Sequence, residues 1–395
     1  MSNPPSPLCA NLRSQWMLDE RIAFLNHGSF GAMPRVVFEQ QTEWRRKIEA
    51  EPIELLGRQA IKLIGDAKRP VGEWLGMREE DFGLVTNATE GVNAVLQSLR
   101  LKPGDELLTT THVYNAVWQA MRHVAGRSDA VCRQIELTLP LQSADQVVES
   151  VAEGLSSNTR LLVIDHVTSP TGLVFPVQRI AKLCAARGID VLVDGAHAPG
   201  MLPLNVPEIG ATYYTANLHK WACAPKGSAF LWVSPDRQSQ VYPTAISHHW
   251  GEGFAREFTW QGTRDISGWL TIPAALEFMR DLGWEKIRDH NHRLAVWVQQ
   301  MLCDRWKVEP LSPLEGSLIG SMATVSLPAP LDRFTVSQSL QLQQKLYSEH
   351  RIEVPVMIWG GRAFVRPCCQ VYNLPGEYER LAVVIELNAQ HANFQ

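Results

Sequence analysis

The sequence predicts an α/β fold: a large part built on a mainly parallel sheet covered by helices on both faces, then a smaller C-terminal α/β part. Three observations predict it. Apolar runs at 160–165 and 189–193 alternate with stretches of helical spacing such as 177–186, the signature of parallel strands buried on both faces. Polar residues gather just past those runs, in Thr109/His112, Asp165/His166 and Asp194/His197, where open α/β sheets hold their ligands. Beyond residue 265 the pattern changes to long helices. The 395 residues are ample for two such parts, with a division at 22–265 and 266–395.

In chain order, residues 1–21 read as a polar, Pro-rich arm without the apolar core of a signal peptide. A short apolar run ends in Asn26-His27-Gly28-Ser29-Phe30-Gly31, a loop whose two glycines suit close backbone approach, or simply a turn. Residues 38–64 have helical spacing broken at Pro52, as in two surface helices, with Arg58 a solvated charge on the second. A strand at 82–86, a turn through Ala88 and Thr89, and a helix at 92–99 follow. That order aims free N–H groups and a hydroxyl at one spot, an anion site, unless Thr89 merely caps the helix.

A strand at 105–109 leads to His112 and Tyr114, whose rings cover either a flat ligand or the end of a core. Strand 131–137 and helix 146–155 continue the alternation. Residues 211–215 run into Asn217, His219 and Lys220, and 227–233 form the next strand. The His248-His249 pair has no second pair and no helical HExxH beside it, so no metal site is expected. After 265 come helices at 269–282 and 285–301, strand 322–327, helix 336–349, strands 352–358 and 363–372, and a last helix from 376.

The formal charge is −4 and no Lys/Arg run tracks a phosphate backbone, which argues against nucleic acid as a partner. No run approaches about 18 uninterrupted apolar residues, so no membrane span is expected. The seven scattered cysteines read as reduced thiols of a cytoplasmic protein.

Asp194 ends one apolar strand, and Lys220 follows another 26 residues later. With the Thr89 turn they supply what pyridoxal 5′-phosphate (PLP) requires: an amine for the Schiff base, a carboxylate that keeps the pyridine nitrogen protonated, and a phosphate cradle. By spacing alone, Asp194 also suits any sheet edge and Lys220 a surface lysine. A nucleotide-binding dehydrogenase is disfavoured, because residues 87–91 lack the Gly-rich fingerprint.

Asp194-Gly-Ala-His197 together with Asn217-Leu-His219-Lys220-Trp-Ala-Cys-Ala-Pro225-Lys-Gly227 resembles the class V aminotransferase family of fold-type I PLP-dependent enzymes, with its seven-stranded-type sheet. Leu25–Gly31 and Gly262-Thr-Arg-Asp265 resemble the isopenicillin-N-epimerase-like branch, related to cysteine desulfurases and C–S lyases. The resemblance implies Lys220 as the Schiff-base lysine, Asp194 as the pyridinium partner and His197 as a donor to the phenolate oxygen. It implies Ala88, Thr89, Asn217 and His219 around the phosphate, and His112 or Tyr114 over the ring. Gly262 and Thr263 would reach the partner's phosphate in a homodimer with shared active sites. Arg366 would hold the substrate α-carboxylate as a bidentate pair, with Asn26 and His27 as further substrate residues. Arg58, Arg264 and the His248-His249 loop are candidates for the side-chain end of the pocket. No cysteine lies between Cys303 and Cys368, which disfavours a persulfide-forming desulfurase. The implied activity is epimerisation or racemisation of an amino acid, with C–S lyase or aminotransferase chemistry as alternatives. A PLP fold kept only for binding would not need all of these groups together.

Overall fold

A computed structural model describes residues 3–9 and 12–392. Its centre is a seven-stranded sheet of β1 (Phe82–Val85), β2 (Glu106–Thr110), β3 (Val131–Ile135), β4 (Thr159–Asp165), β5 (Asp190–Asp194), β6 (Tyr213–Asn217) and β7 (Ala229–Val233). The spatial order is β1-β7-β6-β5-β4-β2-β3. Only β7 runs antiparallel to its neighbours; the other pairs are parallel.

Period-two alternation explains why this sheet is buried twice. Leu161 and Val163 pack in one apolar cluster with Leu192 and Tyr213. Leu162 and Ile164 pack in another with Val191, Val193 and Tyr214. Helices α1 (Ala88–Ser98) and α2 (Asn115–Gly126) cover the first face through Val92, Val95, Val117 and Met121. Helices α3 (Ala144–Gly154) and α4 (Val177–Ala185) cover the second through Val147, Val151 and Ile180. Because side chains alternate along a strand, Asp165, Asp194 and Asn217 fall on the face of Val163, Leu192 and Tyr213. Three polar strand ends therefore converge beside the first turn of α1.

Several elements depart from the sequence expectation. The first helix covers Arg35–Ala50, and after Pro52 a π-helical stretch, Ile53–Gln59, runs into a helix that continues past Pro70 to Leu75. The spacing hides this continuation because Pro70 reads as a helix breaker. The expected strand at 352–358 is split by Pro355 into Ile352–Glu353 and Val356–Trp359, and the one at 363–372 ends at Val365, before Pro367. Proline has no N–H for the ladder. Residues 12–16 are no free arm: Leu12–Gln15 form a 3-10 turn. Trp16 is buried against Phe278 and Tyr372, and its indole donates to Ala32 O over 3.2 Å.

We place the division between the two parts near residue 265, ahead of helices Ser267–Leu270, Ile272–Leu282 and Trp284–Trp306. The C-terminal part adds a three-stranded antiparallel sheet of Val325–Ser326, Arg362–Val365 and Val356–Trp359. A two-residue parallel ladder between Ala23–Phe24 and Ile352–Glu353 ties the start of the chain to it. No helix among the described residues is long and apolar enough to cross a membrane.

Candidate active site

At the carboxyl ends of β4, β5 and β6 lies a cavity of about 450 Å³, in the usual range for small-ligand sites. Asp194, His197, Asn217, His219, Lys220, Ala88, Thr89, Tyr114 and Arg366 all line it. They come from five separate stretches of chain, so their convergence is a product of the fold.

Lys220 Nζ lies 3.1 Å from His197 Nε2. Burial is the main cause that lowers the Lys220 pKa to about 8, against the pull of the Asp194 carboxylate. An appreciable neutral fraction near pH 8 suits an amine that must act as nucleophile and base. His197 accepts at Nδ1 from the Trp221 indole over 3.4 Å. An indole N–H can only donate, and burial keeps the imidazole neutral, well below its usual pKa. The His197 proton therefore sits on Nε2, on the Lys220 side, the placement a donor to a cofactor oxygen needs.

Asp194 is buried, and its Oδ1 accepts the Ala196 N–H over 3.0 Å. Burial pushes its pKa up, while that N–H and Lys220 pull it down. Asp165, its registered neighbour on β4, also lines the cavity.

The anion cradle is arranged differently from the sequence expectation. Asn87 caps α1 by accepting Glu90 N over 2.9 Å, and Asn217 Oδ1 accepts Ala88 N over 2.8 Å. The Ala88 N–H is thus engaged within the protein and is not free for a phosphate, whereas Thr89 remains in the cavity wall. His219 donates from Nδ1 to Ser228 O over 3.1 Å, and burial lowers its pKa to about 4. Its Nε2 therefore carries no proton until an anion beside it raises that pKa. Gly91 explains how α1 comes so close: a Cβ there would stand 2.1 Å from Thr215 Oγ1 on β6.

Asn26 and His27, expected at the substrate, lie behind the cavity. Asn26 accepts from Ser29 Oγ over 2.6 Å and donates to Glu353 over 2.9 Å. His27 is wholly buried, with Nε2 on Lys220 O at 3.0 Å and Nδ1 on the Tyr372 hydroxyl at 2.7 Å. It clamps the backbone that carries Lys220, and Gly28, Ser29 and Phe30 face the cavity instead. Gly31 permits this: at φ 70°, a Cβ would lie 2.0 Å from His219 O.

Between the two ring candidates the geometry separates clearly. His112 is fully buried, bonded to Thr171 Oγ1 at 2.7 Å and packed on Trp359. It does not line the cavity. Tyr114 lines it and is 45% exposed.

Arg366 is 3% exposed, donates from Nη1 to Ser169 O, and leaves Nε without a partner. Among the described residues no carboxylate pairs with it, so it is no structural ion pair. An unpaired buried guanidinium is costly, and a ligand carboxylate would relieve that cost.

Gly262 and Thr263 lie outside this cavity. Arg58 pairs with Glu54 at 2.7 Å on the exposed π-helical stretch, and Arg264 packs over Trp269. His248 and His249 line a different depression with Leu56 and Trp260. No group of acidic, His or Cys side chains able to hold a metal occurs among the described residues. Sequence reasoning left Asp165, Ser169 and Lys226 without a role, although all three line the cavity. Asp165 carries the same signal as Asp194, a carboxylate that ends an apolar strand.

An amine on a neutral donor, a buried carboxylate, a helix first turn with Thr89 in the cavity wall and a guanidinium without a carboxylate partner around one cavity fit PLP and an amino acid. They define a fold-type I PLP-dependent enzyme. The chain belongs to the class V aminotransferase family, whose model matches residues 25–341. It is 33% identical over 397 residues to isopenicillin N epimerase of Amycolatopsis lactamdurans, covering 95% of this chain and 98% of that one. It is 32% identical over 391 residues to a probable chloroplastic L-cysteine desulfhydrase of Arabidopsis thaliana, covering 92% and 82%. Among solved structures, apo cysteine desulfurase from Thermococcus onnurineus NA1 superposes with TM-score 0.81 at 18% identity, covering 98% of this chain and 100% of that chain. The cystine C–S lyase C-DES, in complex with cysteine persulfide, gives 0.79 at 22%, covering 93% and 97%.

Proposed function

We propose that this enzyme moves the Cα proton of an amino acid and that the outcome is epimerisation or racemisation. The observation that carries this reading is that Lys220 and Tyr114 line one cavity with Arg366. Lys220 would hold the cofactor, with Asp194 at its ring nitrogen, His197 Nε2–H at its phenolate oxygen, and Thr89, Asn217 and His219 at its phosphate. When bound, PLP supplies a carbonyl that takes the substrate amine and a ring that accepts the electron pair left at Cα.

Arg366 binds the α-carboxylate and fixes the orientation of the Cα–H bond. Lys220 Nζ, once freed by the substrate amine, takes the proton. Tyr114 Oη returns a proton to Cα from another direction, which inverts the centre. The test is Tyr114→Phe with substrate in deuterated water. Retained exchange of the Cα hydrogen with loss of inversion supports the assignment, and pyruvate release from cysteine derivatives overturns it.

That second outcome is C–S lyase chemistry, which needs only the single base. It is favoured by relatives named L-cysteine desulfhydrase at 30–32% identity. No cysteine lines the cavity. The Cys368 thiol is buried behind it and accepts the Gly28 N–H over 3.2 Å. Such elimination would therefore proceed without a persulfide on this chain.

The homodimer expectation is supported by large apolar side chains left exposed: Phe30 at 72%, Ile53 at 70% and Trp250 at 58%. In the proposed dimer a second copy covers them and Gly262 and Thr263 reach the partner's cavity; a monomer in sedimentation velocity would overturn this. The described cysteines are all free thiols, which supports a reducing compartment such as the cytoplasm.

A further inference from the structure

Asp165 and Asp194 end adjacent parallel strands as registered partners, about 4.8 Å apart across the ladder. Strand alternation places both on the face of Val163 and Leu192. Both carboxyl groups are buried, at 3% and 4% exposure. Asp194 Oδ1 accepts the Ala196 N–H over 3.0 Å, and the Lys220 charge acts on the carboxylate. Asp165 Oδ2 has no hydrogen-bond partner at all, yet the residue lines the cavity. A buried carboxylate with an unsatisfied oxygen beside a second carboxylate is far more unfavourable than a protonated acid at the same place.

We propose that Asp165 is a positioning residue for the cofactor, a carboxylic acid kept protonated beside Asp194, so that the pair carries one negative charge and that charge stays on Asp194. The proposal rests on the reading of the cavity as a PLP site. The surroundings agree. From the β5 side Asp165 faces Asp194, and from the end of β6 it faces Lys220, whose charge is the weaker influence. The Tyr114 N–H approaches it from the start of α2. His112 beyond β2 and His166 just beyond β4 are held neutral by burial. Arg366 is bonded to Ser169 O, and Ser169 lies four residues beyond Asp165 along the chain. Burial, then the Asp194 charge, pushes the Asp165 pKa well up.

With Asp165 neutral, Asp194 offers one negative charge to a protonated ring nitrogen. Lys220 and Arg366 then leave the cavity open to a phosphate and a substrate carboxylate. If both acids were ionised, the pair would repel those anions and pull the Lys220 proton tighter.

Infrared difference spectroscopy on the full chain with 13C-labelled aspartate, with PLP bound and removed, tests this directly. At neutral pH the chain should show a protonated-carboxyl carbonyl band that shifts in D2O and is missing in Asp165→Asn. In Asp194→Asn the same band should titrate away at least about one pH unit lower than in the unaltered chain, because the neighbouring charge is gone. At neutral pH Asp165→Asn should bind PLP within about threefold of the unaltered chain, since one uncharged group replaces another. A band that survives in Asp165→Asn, absence of any such band, or a loss of PLP affinity beyond about tenfold overturns the proposal. Should Asp165→Asn fail to fold, the band and its displacement in Asp194→Asn decide. The spectra of the unloaded chain read the proton without any cofactor, so failure of the PLP reading would be recognised separately as absence of PLP uptake.

Discussion

Single residues in this cavity owe their chemistry to their hydrogen-bond partners. His197 and His27 are buried and His219 half-buried, all imidazoles near one lysine, yet each has a different task. His197 accepts the Trp221 indole N–H at Nδ1 and so presents Nε2–H to the cavity. His219 spends its proton on Ser228 O. His27 spends its own on Lys220 O. Residue type and spacing identify a histidine, whereas the tautomer comes from a partner far away in sequence. Arg366 is the clearest case for a test: its fork is buried, half engaged on Ser169 and otherwise unpaired. Arg366→Lys keeps a charge but cannot form a bidentate pair. It should raise KM for the amino acid at least about tenfold, roughly 1.4 kcal/mol, with a smaller change in kcat. Steady-state kinetics check this, and an unchanged KM would remove Arg366 from the substrate carboxylate.

At the level of elements, the strands were the most legible feature. The apolar runs at 160–165 and 189–193 became β4 and β5 within a residue or two, because burial on both faces leaves a run that only a strand of that length explains. The helix through Pro70 and the strands cut at Pro355 and Pro367 were less legible. Tertiary packing there decides whether a proline is accommodated or ends the element. Helix α1 was found by its pattern, but its approach to β6 depends on Gly91 lying against Thr215. Gly91→Ala would place a Cβ 2.1 Å from Thr215 Oγ1, so α1 must move outward and carry Thr89 and the Asn217 contact with it. PLP affinity should fall by about tenfold or more while far-UV circular dichroism stays native-like. Unchanged affinity in equilibrium titration would mean that α1 does not form the phosphate cradle.

For the molecule as a whole, buried neutral histidines set an acid limit. His27 is lowered to about 3, and His112, His166 and His219 to about 4, each from 6.5 and each chiefly by burial. Their folded pKa values are depressed, so between these values and 6.5 the unfolded chain binds more protons. Stability is therefore complete above 6.5 and declines as pH falls through that window. Each histidine contributes a slope of up to about 1.4 kcal/mol per pH unit. Denaturant unfolding followed at pH 7.5, 6 and 5 should show the midpoint dropping steadily; a flat profile would mean that these imidazoles are hydrated.

The sequence by itself determined the sheet, the order of its strands along the chain and the polar residues at their ends. Those follow from local rules: side-chain period, burial and the chemistry each residue type permits. It also carried the motif around Asp194 and Lys220 that marks the family. Only the tertiary structure decided which polar residues share the cavity. It moved His112, Asn26 and His27 behind the wall, engaged the Ala88 N–H on Asn217, left Arg366 unpaired, and set Asp165 beside Asp194. The physical reason is that hydrogen-bond partners and desolvation are properties of neighbours in space, and here those neighbours lie as much as 345 residues apart, as His27 and Tyr372 do.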